Sequence, residues 1–237
     1  MWYAKQTGAY LTTDSEARAN ALEMTTILYA DGFVKTAVAA ILGNSQWESG
    51  LNPWRWQGDF VPTVNTFNGW SEQQANEHGY GLFQYTPAKK YLNQQSSQDY
   101  SPYYAPNLYD LPGNPSDGQA QMMFFRTYIP TDWLHGLYTY YYNAFIQYGV
   151  DISPWYYTQF NKFKYGVDNN DNPLTLAELT GVFELSYERP RDTDAASSYQ
   201  TRVNYANYWY NIIPDPSPTP STGRKMPWIY YLKRRRF

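Results

Sequence analysis

The sequence contains no cysteine, only two histidines, and few charged residues (16%). The absence of cysteine excludes disulfides, thiolate nucleophiles and thiolate metal sites. The two histidines, His78 and His135, form no HExxH pattern, whereas zinc peptidases and amidases usually draw two or more ligands from histidine. We therefore expect no metal site and no cofactor.

Long apolar runs are also absent. No stretch approaches the roughly 18 apolar residues that a membrane-spanning helix needs. The first residues, Met1–Gln6, lack the apolar segment of a signal peptide. We predict neither a membrane span nor an encoded export signal.

Aromatic residues, by contrast, are abundant. They make up 19% of the 237 residues, with 26 tyrosines and 9 tryptophans. These side chains join an apolar ring to a polar edge, so they suit surfaces on which sugar rings stack, as well as ordinary core packing. Together with a hydrophobic content of 43%, they indicate a globular domain with a sizeable core.

Charge is unevenly distributed along the chain. The net charge is −3, yet six basic residues and no acidic ones follow Gly223, which leaves 12 basic and 21 acidic residues before it. A proline-rich stretch precedes this basic end and predicts a semi-extended linker. We therefore predict a folded domain over residues 1–213, a linker over 214–223 and a separate tail over 224–237.

The tail combines aromatic and apolar residues with a final cluster of four cations, Lys233–Arg236. Tryptophan, tyrosine and isoleucine are anchors for a protein surface, whereas a phosphate binder needs mainly charge. We favour a docking peptide and expect no nucleic-acid partner. Binding to an anionic surface and an inert tail are the alternative interpretations.

Helical signals dominate the predicted domain. Capping boxes at Thr13–Glu16 and Thr175–Glu178 open two helices. We expect the first, which runs to about Ala30, to form a helical hairpin with the helix that follows and to pack Leu22, Ile27 and Leu28 on it.

Ser116 and Asp117 suit the cap of a further helix at about 118–128, and helical spacing of apolar residues predicts one at about 194–213. Periodicity does not resolve the tyrosine-rich residues 133–163, where we favour a helix over 137–148. The predicted fold is mainly α, with a small β element possible and an extended C-terminal tail.

One helix ends in a carboxylate. Apolar spacing from Val34 predicts a helix to Ser49 with Glu48 on its buried stripe. Gly50 suits a left-handed helix end, and Pro53 prevents continuation. Partial burial and the negative end of the helix dipole both favour the protonated acid, the form that cleaves glycosidic bonds. A buried glutamate can also have a purely structural role.

A second motif, Gly79–Pro87, places two glycines where the backbone can approach a ligand closely. Thr86 and Pro87 then suit the start of a helix.

The two segments Gly43–Pro53 and Gly79–Pro87, together with the late Glu188-Arg189-Pro190, resemble motifs of the phage tail lysozyme family. Glu48–Pro53 and Gly81–Gln84 are also similar to the corresponding motifs of goose-type lysozymes and lytic transglycosylases. The resemblance covers about residues 16–210. It implies a helical bundle of the α+β lysozyme type around a substrate cleft. It also implies cleavage of the glycan strand of peptidoglycan, with Glu48 as the proton donor.

The second catalytic group is left open by the resemblance, because this chain carries Thr86 where goose-type enzymes carry aspartate. Glu77 or Asp59 could supply a second carboxylate, or Thr86 and backbone groups could position a water. A separation of about 6.5–9.5 Å between two carboxylates would indicate inversion. Without a second carboxylate, a transglycosylase mechanism gains support.

For substrate binding, the resemblance implies a cleft lined by a few polar and aromatic residues. The glutamine amide can donate to and accept from an N-acetyl group, and the tyrosines can stack on sugars. We predict Tyr80, Gln84, Tyr85, Tyr187 and Glu188 at this cleft. Core packing is the alternative for Tyr85, and an internal ion pair is the expectation for Arg189.

The resulting hypothesis is a lysozyme carried on the phage tail, which opens the host cell wall during entry and is tethered to other tail proteins through residues 224–237. The alternatives are a lytic transglycosylase, a released endolysin, and a catalytically silent tail protein that binds the wall.

Overall fold

The fold is known from a computed structural model, and the structure describes residues 2–4, 14–55, 79–85, 116–134 and 138–216. The helices within these residues are α1 (Asp14–Ala30), α2 (Lys35–Ser49), α3 (Ser116–Asp132), α4 (Tyr138–Gln147), α5 (Phe160–Lys164), α6 (Leu176–Phe183) and α7 (Asp192–Ile212). A π-helical turn, Glu184–Glu188, directly continues α6. The predicted mainly α class is confirmed.

Pairing between extended segments is minimal in the described part of the chain. Two isolated antiparallel bridges occur there, Tyr80 with Tyr85 and Val167 with Pro173. The first bridge closes the Gly79–Tyr85 turn.

The central element is α2, which packs mainly against α7 and α6. Every residue from Ala37 to Ser45 is buried, so this helix is covered around its circumference rather than along one stripe. The helix reaches the surface again in its last turn, where Trp47 is exposed and Glu48 is partly buried. The helix therefore carries a side chain from the core to the surface at Glu48.

Small residues explain how closely α2 and α7 approach. A Cβ at Gly43 would lie 2.7 Å from the Arg202 carbonyl oxygen and 2.7 Å from the Ala206 nitrogen, both backbone atoms of α7. A side chain at this position would force the helices apart. Gly43 thus sets the distance at which Arg202 meets α2.

The first helical hairpin follows the prediction with one exception. Leu28 is buried and Ile27 packs against the core, but Leu22 is 44% exposed. Leu22 occupies a solvent-facing position of α1, and its predicted packing on α2 is wrong. Gly32, with a φ of 82°, closes the turn after α1.

The predicted capping box at Thr175 is confirmed. Its hydroxyl accepts from the Glu178 backbone N–H, and the Glu178 carboxylate accepts from the Thr175 backbone N–H. After α7, the Pro214 carbonyl accepts from the Tyr29 hydroxyl and Asp215 pairs with Lys35. The first linker residues therefore contact the domain, and residues 217–237 lie outside the described part.

No helix in the described part of the chain combines the length and apolar character needed to span a membrane.

Candidate active site

Glu48 lies one residue before the C-terminus of α2, and the chain turns away immediately after it. Gly50 adopts the left-handed conformation (φ 63°, ψ 27°) and its N–H donates to the Gln46 carbonyl. This is the predicted helix end. The Glu48 side chain is 20% exposed, so its carboxylate is held at the boundary between core and solvent.

A buried arginine positions the Glu48 carboxylate. Arg202 of α7 is 1% exposed, and its Nη2 donates to Glu48 Oε1 at 2.6 Å. Its Nη1 donates to the Asn44 Oδ1 at 3.0 Å. Since Asn44 and Glu48 are one helical turn apart on α2, the planar guanidinium binds the same face of this helix at two points.

Asn44 is itself fixed by the core. Its Nδ2 donates to the Ala40 carbonyl and, at 3.1 Å, to the Thr180 carbonyl of α6. The amide therefore links three helices, and its oxygen is oriented towards Arg202.

A second carboxylate lies on the other side of the guanidinium. Glu184, the first residue of the π-helical turn, is 0% exposed, and its Oε1 lies 2.9 Å from Arg202 Nε. The Ser198 hydroxyl donates to the same oxygen at 2.9 Å. Oε2 of Glu184 is buried without a hydrogen-bond partner among the described residues.

Burial dominates the electrostatics of Glu184. It raises the pKa of this carboxyl from 4.5 to about 7, although Arg202 and the Ser198 hydroxyl act in the opposite direction and Glu48 adds to the increase. Burial lowers the pKa of Arg202, but Glu184 and Glu48 more than compensate, so that its pKa is raised. Arg202 is therefore a permanent cation between two carboxylates.

The Gly79–Tyr85 turn is fastened directly to α2. The Leu82 carbonyl accepts from the hydroxyls of Ser45 and Ser49, both at 2.9 Å. Gln121 of α3 accepts from the Leu82 N–H at 2.7 Å and donates to the Pro53 carbonyl. The two motifs that the sequence placed 33 residues apart are thus joined into one unit.

Gly81 is required in this turn for two reasons. Its φ is 85°, and an added Cβ would lie 2.4 Å from Gln121 Oε1. The position therefore excludes other residues by both conformation and space.

Gln84 uses its amide N–H groups within the turn. Nε2 donates to the Arg55 carbonyl at 3.1 Å and to the Gly81 carbonyl at 3.0 Å. Its two amide donors are thereby committed to backbone carbonyls. The predicted substrate-binding role of Gln84 stays a prediction.

The three tyrosines predicted at the cleft are packed in the core. Tyr80, Tyr85 and Tyr187 are 2%, 4% and 7% exposed. The Tyr85 ring lies edge-on to Phe124, and burial raises the pKa of the Tyr85 and Tyr187 hydroxyls well above 10. These rings support the turn from within, and their predicted contact with substrate stays a prediction.

Glu188 and Arg189 end the π-helical turn. Glu188 is partly buried, and its charge acts on Arg202. Arg189 has a φ of 50° and donates to Asp132 of α3 at 3.1 Å. Arg189 therefore forms an ion pair that links the end of the π-helical turn to α3.

The predicted second catalytic groups, Asp59, Glu77 and Thr86, lie outside the described residues. Among the residues that the structure does describe, no three histidine or carboxylate side chains are grouped to hold a metal ion.

Three side chains around Glu48 were not identified from the sequence. They are Arg202, Glu184 and Trp47. Trp47 is 37% exposed, and the Arg202 guanidinium lies 5.7 Å from its ring centroid. Trp47 could have been identified from the sequence, because it directly precedes Glu48. For Arg202 the sequence offers only a weak signal, an arginine within an apolar helical pattern.

Chemically, the arrangement presents one carboxyl at the surface, with one oxygen held by a buried cation and an aromatic ring beside it. Such a group can donate a proton, and its conjugate base then receives a charge-assisted hydrogen bond.

Comparison with known proteins agrees with the motifs. The sequence model of the phage tail lysozyme family matches residues 19–213. Morphogenesis protein 1 of Bacillus phage B103 is 26% identical over 213 residues, which cover 90% of this chain and 43% of that protein. The chain thus spans less than half the length of this relative. The resemblance predicted from the sequence motifs is confirmed.

Proposed function

Because the chain belongs to the phage tail lysozyme family, we propose that it cleaves the glycan strand of peptidoglycan and that Glu48 is its general acid. The family match supports a lysozyme-like hydrolase. The observation that carries the assignment of Glu48 is its position: a partly buried carboxyl at the end of α2, bound by Arg202 and adjacent to the turn of the second family motif.

In the proposed reaction, the carboxyl of Glu48 transfers its proton to the glycosidic oxygen while the bond from that oxygen to the anomeric carbon breaks. Glu48 becomes a carboxylate, and Arg202 Nη2, 2.6 Å from Oε1, stabilises the charge as it develops. A water completes hydrolysis by adding to the anomeric carbon and losing a proton. Asp59, Glu77 and Thr86 are the candidates for orienting that water or accepting its proton.

We further propose that the enzyme is carried on the virion and acts on the wall during entry. The relative's name, Morphogenesis protein 1, supports a role in the phage particle. In this proposal residues 224–237 bind other tail proteins. Presence of the chain in purified particles would support carriage on the virion, whereas its restriction to the lysate would favour a released endolysin.

The decisive experiment is digestion of purified peptidoglycan by the wild type and by Glu48→Gln. We expect the wild type to release soluble muropeptides and Glu48→Gln to lose at least about a hundredfold in rate, as for removal of a general acid. Glu178→Gln is the matched control, because Glu178 belongs to the capping box of α6 and glutamine also completes such a box.

The masses of the products separate the alternatives. Products that have gained water indicate hydrolysis, whereas anhydro-sugar ends, lighter by one water, indicate a lytic transglycosylase. No soluble product from the wild type would favour a silent wall-binding protein. Full activity in a folded Glu48→Gln protein would refute the assignment of the acid.

A further inference from the structure

We infer that Arg202 and Glu184 are positioning residues for Glu48, and that the negative charge of Glu184 is required for Glu48 to donate its proton near neutral pH. This inference rests on the proposed function, since it concerns the same reaction. It adds two residues on separate elements to the single acid that the motifs indicate.

The first step is geometric. The guanidinium of Arg202 is bound along three sides, by Nε to Ser198 and Glu184, by Nη1 to Asn44, and by Nη2 to Glu48. Each partner other than Glu48 is buried. The position of Nη2 is consequently fixed by the core, and it fixes Glu48 Oε1 in turn.

The second step is a charge argument. A lone buried cation favours the ionised form of a carboxyl group beside it, and a carboxylate cannot donate a proton. The charge of Glu184, 2.9 Å from Nε, offsets part of the positive charge, and its repulsion of the Glu48 carboxylate acts in the same direction. Glu184 therefore weakens the preference of Arg202 for the charged form of Glu48, while the hydrogen bond that orients Glu48 is kept.

The third step concerns the cost of the arrangement. Burying a pair such as Arg202 and Glu184 is seldom a net gain in stability over apolar packing. Oε2 of Glu184 also lacks a hydrogen-bond partner among the described residues. The π-helical turn that begins at Glu184 is also a rare conformation that is frequent at functional sites. Its bond from the Arg189 N–H to the Glu184 carbonyl measures 2.7 Å. A costly cluster on such a turn indicates a functional role.

Several groups face this cluster and enter its pH dependence. They are Glu48 and Asn44 from α2, Ser198, Tyr199 and Arg202 from α7, and Glu188 from the π-helical turn. The Tyr199 hydroxyl, whose pKa is raised far above neutrality by burial, stays neutral. Near neutral pH the cluster is therefore governed by the three carboxyls and the guanidinium.

The test is the pH profile of muropeptide release, measured from pH 4 to pH 9 for the wild type, Glu184→Gln and the control Glu178→Gln. The basic limb of the profile reports loss of the proton from the acid. We expect Glu184→Gln to move this limb to lower pH by about one unit, which is roughly a tenfold loss at pH 7.5. Activity at pH 5 and the KM should stay within about twofold of the wild type.

Ser198→Ala is the second variant, for use if Glu184→Gln does not fold. It removes a hydrogen bond that favours the charged form of Glu184. The basic limb of the pH profile should therefore also move to lower pH, but by less than in Glu184→Gln. An unchanged basic limb in a folded variant would overturn the inference while the proposed function stands. A wild type that releases no muropeptide at any pH would overturn both.

Discussion

Trp47 is the exposed aromatic side chain next to the proposed acid. One side of its ring faces the Arg202 guanidinium, and the side chain is 37% exposed. An indole held by a cation in this way is oriented without being covered. A sugar ring bound to receive a proton from Glu48 would therefore have an apolar surface available beside it.

We predict that Trp47→Ala raises the KM for peptidoglycan fragments about three- to tenfold, because an aromatic contact of this kind contributes ~0.5–1.5 kcal/mol. The kcat should change little, and Trp47→Phe should lie between the two proteins. Steady-state kinetics on soluble fragments gives both constants. Tyr148→Ala, at a 59% exposed position of the chain, serves as the control. A fall in kcat at constant KM would contradict the binding role.

At this scale the sequence predicted the helix end at Glu48 but not the side chains around it. The helix end could be predicted because it depends on neighbours in the chain, chiefly Gly50, whose φ is 63°. The catalytic role of Glu48 stays a prediction. Arg202 is 154 residues away along the chain, and its contact depends on the crossing of α2 and α7 at Gly43. No local pattern encodes that crossing, so Arg202 and Glu184 could not be paired with Glu48 in advance.

At the scale of elements, the contribution to stability of the contact between the Gly79–Tyr85 turn and α2 can be measured. The Leu82 carbonyl of this turn is bound by two hydroxyls of α2, those of Ser45 and Ser49. Either hydroxyl alone can satisfy a carbonyl oxygen, but removal of both leaves a buried acceptor without these donors.

We therefore predict non-additive losses of stability. Ser45→Ala and Ser49→Ala should each lower the free energy of unfolding by no more than about 1 kcal/mol, since alanine also favours the helix. The double variant should lose about 2–3 kcal/mol, which gives an interaction energy of roughly 1 kcal/mol. Urea unfolding measures all three. Thr26→Ala, which removes an exposed hydroxyl bond on α1, is the control, and strictly additive losses would argue against a shared carbonyl.

Helix positions were predicted more reliably than the contacts between helices. The final helix, expected at about 194–213, is observed at Asp192–Ile212, because apolar spacing and the proline after it are local signals. The π-helical turn was not predicted, since Glu184–Glu188 continues the apolar pattern of α6 and its extra residue per turn has no sequence signature.

For the whole molecule, the cluster of Glu184, Arg202 and Glu48 predicts how stability varies with pH. Folding raises the pKa of Glu184 from 4.5 to about 7, so the folded protein binds this proton more tightly than the unfolded chain does. The contribution to stability is complete below pH 4.5 and is lost as the pH rises through 7. Asp151 and Asp168 have lowered pKa values, so their contributions are lost only in more acidic solution.

We expect the wild type to lose about 3 kcal/mol of this stabilisation between pH 5 and pH 8, from 1.36 kcal/mol per pKa unit, and Glu184→Gln to lose none of it. Thermal unfolding at the two pH values measures the difference. Both proteins carry the same two histidines, so the comparison cancels any contribution from them. Glu178→Gln should keep the wild-type dependence. If Glu184→Gln keeps it as well, the pH dependence does not come from Glu184, and a raised pKa of this carboxyl is contradicted.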